Sequence, residues 1–542
     1  MNDFDAIVIG SGSGGLTAAL ALARAGRRVV VYEQHYLPGG YSQSFTLKGF
    51  RFSPGIHYIG ELQPGGALRR IYEGLGVAGD LVFLEINPDG YDHVVVGQER
   101  FDIPAGMERF RERLKARFPR EADGIDGYFG AVSRMADELV WAAPQGLADF
   151  ATLPWHMRTT LRHGLTPLAR FLDRFTSDPL LRAILTIQAG DHGMAPSRAP
   201  TALHAGLQSY YFNGGCYPKG GGHHIPETLA RHVEAHGGRV VLETEVARVL
   251  VEDGAAAGVR LADGTEVRAP VVVSNADPGV LWGRLVDEEH VGARLRHRLR
   301  GQRWSVSTVS CFLGVEMDLR AAGCDSGNVW FSRTTDIDAS YGFAARDHLD
   351  GTEEVPGIFF NVTTLKDPSM RSDGRHTVEA IAIASPDAFA RWKDVPRGAR
   401  GPEYAALKER LGDRIVEAAE CFVPGLAKKV VFRAVATPLT NVHFLHATRG
   451  AIYGTEKTAG NLGPFAYPVR TPIRGLFECG ASTLAPGIHG VTRSGLAAAA
   501  AALDCEVDEL LTGQGQSLRI YPSEHPEAWP EDLRPKSLRR GA

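Results

Sequence analysis

The six residues Gly10-Ser11-Gly12-Ser13-Gly14-Gly15 constrain this chain more than any other stretch, because of what flanks them. Phe4 to Ile9 is a short apolar run that suits a buried strand. Leu16 to Ala25 is rich in Ala and Leu at helical spacing, Gly26 is a stop, and Arg28 to Tyr32 is a second, Val-rich strand. Strand, helix and parallel strand make a βαβ unit. Within it Gly10, Gly12 and Gly15 satisfy G-x-G-x-x-G, and each has a mechanical reason. The first permits the tight turn, the second admits a pyrophosphate against the backbone, and the third lets helix and strand pack closely. The helix then aims its unpaired N–H groups, Ser13 and Gly14 among the first, at the anion.

Context separates this match from a second one. Gly74-Leu75-Gly76-Val77-Ala78-Gly79 fits the same expression but follows a helical stretch, Leu68 to Glu73, so it is rejected. The first match is supported by Glu33, which ends the second strand 18 positions after Gly15. A carboxylate there accepts hydrogen bonds from ribose hydroxyls and repels a 2′-phosphate. Beyond it, Gly39-Gly40 offers a second close backbone approach. Only one fingerprint has strand support, so a dedicated NAD(P) domain is not expected, and FAD is the expected cofactor.

The 542 residues suit two large lobes, and a net charge of -4 with 44% hydrophobic residues gives no basic excess of the kind nucleic-acid binders show. No nucleic acid is expected as a partner. The six cysteines are scattered without a CxxC pair, as in reduced thiols of a cytoplasmic protein. A strand pattern beginning at Phe4 leaves no room for a secretory signal, and no run of about 18 apolar residues spans a bilayer. The Asn361-Val362-Thr363 sequon reads as accidental.

The expected fold class is α/β, a Rossmann-type FAD-binding domain interleaved with an α+β substrate domain. Residues 1–100, 210–285 and 441–512 are assigned to FAD binding. Residues 101–209 form a helical substrate segment, residues 286–440 the sheet and helices of the substrate domain, and residues 513–542 a tail whose basic end, Arg534 to Arg540, is expected to be loose.

Further motifs extend the reading to nearly the whole chain. Pro38-Gly39-Gly40, Gly49-Phe50-Arg51-Phe52, Gly55-Ile56-His57-Tyr58-Ile59-Gly60, Tyr217-Pro218-Lys219-Gly220-Gly221, Ser274-Asn275-Ala276-Asp277-Pro278, Gly450-Ala451-Ile452-Tyr453-Gly454 and Gly480-Ala481-Ser482-Thr483 occur in sequence order. Together they resemble the phytoene desaturase, carotenoid isomerase and retinol saturase superfamily. The resemblance implies a bipartite flavoprotein fold similar to amine oxidases, with non-covalent FAD beneath an apolar substrate tunnel. It implies that Val246 meets the adenine through its backbone. Gly480 and Ala481 are implied along the ribityl chain, and Gly490-Val491 beside the flavin ring at a positive helix end. Gln34, Tyr41, Ser42 and Asn275 complete the implied cofactor set. Ser53 stands where the family commonly has Asp, and Ala481 where many FAD folds have an Asp.

Flavin chemistry needs no protein nucleophile, only placement of a bond over the ring, exclusion of water and sometimes one acid or base. The candidates are His57, in a Gly-bounded loop, and His489, after Pro486-Gly487; Tyr58 reads as packing. The plain reading of His57 is a histidine that hydrogen-bonds backbone. His232 and His236, one turn apart, lack a third ligand, so no metal is expected. From Trp155 to Phe175, the stripe Leu168, Phe171, Leu172, Phe175 with Arg158, Arg162, Arg170 and Arg174 fits either a peripheral membrane contact or a helix face turned to the core. The expected activity is redox or isomerisation of C=C bonds in an apolar polyene, with saturation, desaturation and isomerisation left open. The alternatives are an amine oxidase-like enzyme, which predicts a small polar pocket, and a non-catalytic flavin-binding scaffold, which predicts no tunnel.

Overall fold

The computed structural model describes residues 2–141, 155–346, 349–371, 373–513 and 515–539. Its dinucleotide lobe is a five-stranded parallel sheet in the order Leu476–Glu478, Val271–Ser274, Ala6–Ile9, Val29–Tyr32, Arg239–Val241. Helices cover both faces of such sheets, so the strands read as continuous Val and Ile runs; Ile7, Val8, Val31 and Val272 are fully buried. The helices Ser13–Arg24 and Gly487–Leu503 cross closely on one face. The crossing depends on glycine: a Cβ on Gly495 would stand 2.1 Å from the Gly14 carbonyl oxygen. A three-stranded antiparallel meander, Val246–Glu252, Ala255–Leu261 and Glu266–Arg268, packs beside the sheet.

The second sheet has seven strands in the order Val430–Ala436, Ser307–Val315, His376–Ala384, Gly357–Val362, Asn328–Ser332, Asp92–Val96, Glu99–Ile103. One face packs on the long helix Gly401–Glu420, burying Leu407, Leu411 and Ile415 with Cys311, Leu313 and Ala380. The opposite face is left for a cavity.

Two features depart from the sequence reading. Asp92–Val96 and Glu99–Ile103, inside or touching the stretch assigned to the dinucleotide lobe, join the seven-stranded sheet, where Asp92–Val96 pairs in parallel with Asn328–Ser332. A local reading cannot see so distant a partner. The C-terminal residues are docked through Arg534, the first residue of the end expected to be loose, while Arg540 lies outside the described residues. Arg519–Pro522 pairs with Val82–Glu85, Trp529 is fully buried with Nε1 donating to the Pro522 carbonyl at 2.7 Å, and Arg534 Nε donates to the Trp529 carbonyl at 2.8 Å. The amphipathic stripe takes the core-facing one of its two expected readings. Leu168, Phe171 and Leu172 are buried in the core of the helical segment, with Phe175 packed against them, so the stripe faces inward. Among the described residues, no helix is long and apolar enough to cross a membrane.

His93 ties the seven-stranded sheet to its flank. Its Nδ1 lies 2.7 Å from Asp102 and its Nε2 2.9 Å from Asp325. Burial alone would lower the imidazole pKa; the two carboxylates outweigh it and hold it at about 9. A group raised in the folded state stabilises fully below its unfolded value of 6.5, and that stabilisation drains as pH rises through 9. The shift corresponds to about 3 kcal/mol. Thermal unfolding of wild type and His93→Gln between neutral and alkaline pH checks this. The gap between them should narrow as pH rises, and a constant gap would refute the role.

Candidate active site

The glycine loop opens into a cleft of about 240 Å³. Gly10, Gly12, Ser13 and Gly14 line it, with Gly39, Gly40, Tyr41 and Ser42 packed beside them, the Ser42 hydroxyl 2.8 Å from that of Ser13, and Glu33, Gln34 and Val246 complete the lining. Asn275, Gly480, Ala481 and Val491 line it from the other strands. Glu33 is buried. One carboxylate oxygen accepts from the Ser11 N–H at 2.8 Å and the Ser11 hydroxyl at 2.7 Å, and the other from the His35 N–H at 2.9 Å. Gln34 Nε2 donates to the Phe444 carbonyl, which fixes its side chain. Gly15 and Gly490 are not among the lining residues. A Cβ on Gly15 would lie 2.2 Å from the Gly10 oxygen, and one on Gly490 2.3 Å from the Ala485 oxygen, so both serve close packing behind the wall.

The cleft continues into a cavity of about 870 Å³, and the two share Tyr41, Ser42, Ile452, Ala481 and Val491. Gly487 and Ile488, at the start of the helix Gly487–Leu503, border the cavity. Its wall is the free face of the seven-stranded sheet. Ala436, Ser310, Ile381, Phe359 and Trp330 stand opposite one another in register on five successive strands, and all of them line it. Four strand spacings make this row about 19 Å long. Trp330 and Phe359 meet edge to face at 4.7 Å at one end. The alternation that turns these residues to the cavity turns Cys311, Ala380 and Phe360 to the core.

Two polar networks lie against this apolar space. In the first, Glu379 on the strand His376–Ala384 is fully buried. Its carboxylate accepts from the Ser53 N–H at 2.6 Å and from Asn361 Nδ2 at 2.9 Å, and lies 3.1 Å from His57 Nδ1. His57 lines the cavity. A carboxylate therefore reaches the Ser53 backbone from Glu379, although Ser53 itself is no acid. The sequon residue Asn361 is fully buried, which bars a glycan. Lys366, also fully buried, donates to the His57 carbonyl at 2.6 Å and to Asn328 Oδ1 at 2.5 Å; burial pulls its pKa down to about 7.

The second network holds the residue that sequence reasoning missed. Asp191 lines the cavity at its Trp330 end, with Tyr341 beside it in the lining. The Tyr58 hydroxyl stands 2.6 Å from Asp191 Oδ2 and 3.1 Å from Asp92 Oδ2. Among the described residues no cation pairs with Asp191. Burial, reinforced by the Asp92 charge, pushes its pKa up to about 8, and burial pushes Asp92 up to about 6. A Cβ on Gly193 would stand 2.8 Å from the Tyr453 ring, so Tyr453 packs beside the turn that follows Asp191, and both line the cavity. Tyr58, read as packing, is thus part of a proton-holding cluster. His489 is turned away: its ring stacks on Tyr210 at 5.6 Å and 7°, and it is not among the cavity-lining residues. Burial lowers its pKa to about 4.

The cradle fits a dinucleotide flavin. The helix Ser13–Arg24 has no side-chain cap on Gly12 and no acidic residue in its first turn, and the helix Gly487–Leu503 likewise has neither. Two positive helix ends therefore face connected cavities. Two buried polar atoms at the junction, His35 Nε2 and Gln43 Oε1, have no partner among the described residues.

A dinucleotide cleft opening onto a long apolar cavity beside a second sheet defines a flavin-dependent oxidoreductase of the two-lobe type. The chain belongs to the Flavin containing amine oxidoreductase family, which matches residues 13–503. It is 30% identical to the all-trans-retinol 13,14-reductase of Danio rerio, over 91% of this chain and 85% of that protein. It is 26% identical to the prolycopene isomerase of Arabidopsis thaliana, over 91% and 81%. An oxidoreductase from Methanosarcina mazei superposes with a TM-score of 0.63 at 17% identity, over 91% of this chain and 99% of that one. Putrescine oxidase gives 0.62 at 17%, over 92% and 99%. These two similarities speak to the fold alone.

Proposed function

We propose that this protein binds FAD non-covalently and uses it to saturate a C=C bond of an extended apolar polyene of the retinoid or carotenoid type. The observation that carries the reading is the row Ala436–Ser310–Ile381–Phe359–Trp330, an elongated and mostly apolar wall whose Trp330 end meets a protonated carboxyl. The names of the relatives, a retinol reductase and a carotenoid isomerase, support it. An amine oxidase calls for a compact polar pocket, and a scaffold for none; the cavity suits neither.

In this reading Glu33 receives the ribose hydroxyls, and the N–H groups at the start of Ser13–Arg24 receive the pyrophosphate. Val246 meets the adenine, Gly480 and Ala481 border the ribityl chain, and Val491 borders the ring. A single fingerprint leaves no dedicated NAD(P) domain, so the two electrons come from an external reductant. When bound, the flavin supplies a hydride at N5. Saturation adds that hydride to one carbon and a proton to its neighbour, and the π bond is replaced by two C–H bonds. Asp191 holds the proton, Tyr58 orients the carboxyl, and Trp330 and Phe359 exclude water. Glu379 and Lys366 fix the His57 loop against the cavity.

The test is a single turnover without oxygen. The flavin-loaded protein, reduced with dithionite, is mixed with all-trans-retinol or a linear carotene. Reoxidation of the flavin with formation of a dihydro product is expected. Reoxidation by a primary amine-derived imine but by neither polyene would sink the reading.

We also propose a membrane-resting face. Trp155, Leu161 and Leu165 are 74%, 62% and 61% exposed, with exposed Arg158 and Arg162 between them. Apolar side chains interleaved with arginines suit an anionic bilayer surface. Flotation with phosphatidylserine vesicles should carry wild type upward and leave Trp155→Ser/Leu161→Ser behind; equal flotation excludes this face.

A further inference from the structure

The cavity has a second end, and its chemistry is opposite to that at Asp191. Where the row reaches Ala436, the lining includes Arg397, Arg400, Lys408 and His443. Cations at a cavity mouth are ordinarily solvated or paired, and the neighbouring arginines follow that rule. Arg391 pairs with Glu403, Arg433 with Glu409 and Asp413, and Arg449 with Asp387. Those pairs consume the nearby carboxylates. Among the described residues, none of Arg397, Arg400 and Lys408 is in an ion pair. Each is steadied by an aromatic ring instead: Arg397 lies 4.6 Å from the Phe444 ring centre, and Arg400 and Lys408 lie 5.2 Å and 5.8 Å from that of Tyr404. Arg400 and Lys408 are half-buried.

The positive potential registers on the neighbours. Lys408 is held below its ordinary pKa by burial and then, against the opposing pull of Glu409, by Arg400 and Arg397. His443 is lowered by burial and by Arg397 and Arg400. Three cations without an ion partner among the described residues, Arg397 exposed and Arg400 and Lys408 half-buried, give one end of an otherwise apolar slot a positive potential that attracts an anion. The tunnel thus has one apolar body and one anion-seeking end.

We propose that the substrate carries an anionic end group, a carboxylate or a phosphate, seated between Arg397, Arg400 and Lys408 while its chain lies along the sheet toward Trp330. The proposal rests on the reading of the cavity as the substrate tunnel. It narrows the substrate from any apolar polyene to an amphiphilic acid, and it orients that substrate: charged end by the strand Val430–Ala436, distal end at Asp191. A guanidinium or ammonium partner for a carboxylate should favour acid over alcohol by about ten-fold.

Equilibrium binding to the flavin-loaded full chain tests this, read by quenching of protein fluorescence, to which the cavity residue Trp330 contributes. The probes are two acid–alcohol pairs, all-trans-retinoate against all-trans-retinol and palmitate against hexadecanol. The expected result is a preference of about ten-fold or more for the acid, eroded by salt and abolished in Arg400→Gln/Lys408→Gln. Should that variant fold poorly, Arg397→Gln alone is expected to reduce the preference. If palmitate is preferred over hexadecanol but neither retinoid binds, the anion subsite stands and the polyene reading falls. Equal binding of acid and alcohol in both pairs overturns the subsite, as does an acid preference that the variants leave intact. A third arm uses phosphatidylserine vesicles without added lipid acid. If the three cations govern vesicle binding and no acid preference exists, the anion belongs to a bilayer headgroup and the proposal is overturned.

Discussion

Replacing Asp191 by asparagine should lower polyene saturation by two to four orders of magnitude, roughly the contribution of a positioned general acid. The change swaps one neutral group for a near-isosteric neutral group, because burial already keeps the Asp191 proton on up to about pH 8. Asparagine still meets the Tyr58 hydroxyl. Stability should therefore change by no more than about 1 kcal/mol, and the flavin should remain bound. What disappears is a transferable proton. Substrate affinity should hold within a few-fold while kcat collapses, the pattern of an interaction used only in the transition state. The pH profile gives an independent reading. The acid form is the active one, so wild-type turnover should fall as pH rises through about 8, and the variant's residual rate should lack that limb. A variant turning over within about three-fold of wild type, or keeping the alkaline limb, would remove Asp191 from the chemistry.

The contrast between the two halves of this site shows what kind of information a linear chain carries. The phosphate-binding loop is legible because its requirements are local: Gly10, Gly12, Gly15 and Glu33 lie within one βαβ unit, and turn, approach, packing and charge fall at fixed spacings. Asp191 has no such frame. Its neighbours Gly190 and His192 form no motif, and its proton affinity arises from burial and from Asp92, delivered by the distant strand Asp92–Val96. Glu379 did leave a trace. It is the one charged residue in the apolar run Thr377 to Ala384, and a carboxylate in a central strand must find partners there. His489 illustrates the opposite limit. Its helix is where the motif puts it, but the rotation of the helix turns the ring onto Tyr210. The amphipathic stripe at Leu168 to Phe175 could not be resolved by periodicity, because core and bilayer reward the same spacing.

Gly14→Val should yield a protein that purifies without flavin colour. A Cβ at position 14 would stand 2.7 Å from Asn275 Oδ1 and 2.9 Å from the Val491 carbonyl, and the second of these is backbone that cannot rotate away. Two further methyl groups would project from a helix end whose N–H groups are meant to approach a pyrophosphate. Val491 and Gly495, which packs on the Gly14 carbonyl, both belong to the helix Gly487–Leu503, so the added carbons press into an already close helix crossing. The flavin-to-protein ratio after purification should fall at least ten-fold, and excess FAD should not restore it. Because a ligand held only by the folded state stabilises it by mass action, the unfolding temperature should drop toward that of wild-type apoprotein. Gly14→Ala, with a single added carbon, should lose part of the flavin and recover it at high FAD. Gly283→Ala is the control, since a Cβ there meets nothing within 4 Å and should change neither colour nor stability. If Gly14→Val retains flavin at the wild-type ratio, the cofactor's phosphates do not lie over this helix end, and the assignment of the cleft fails with it.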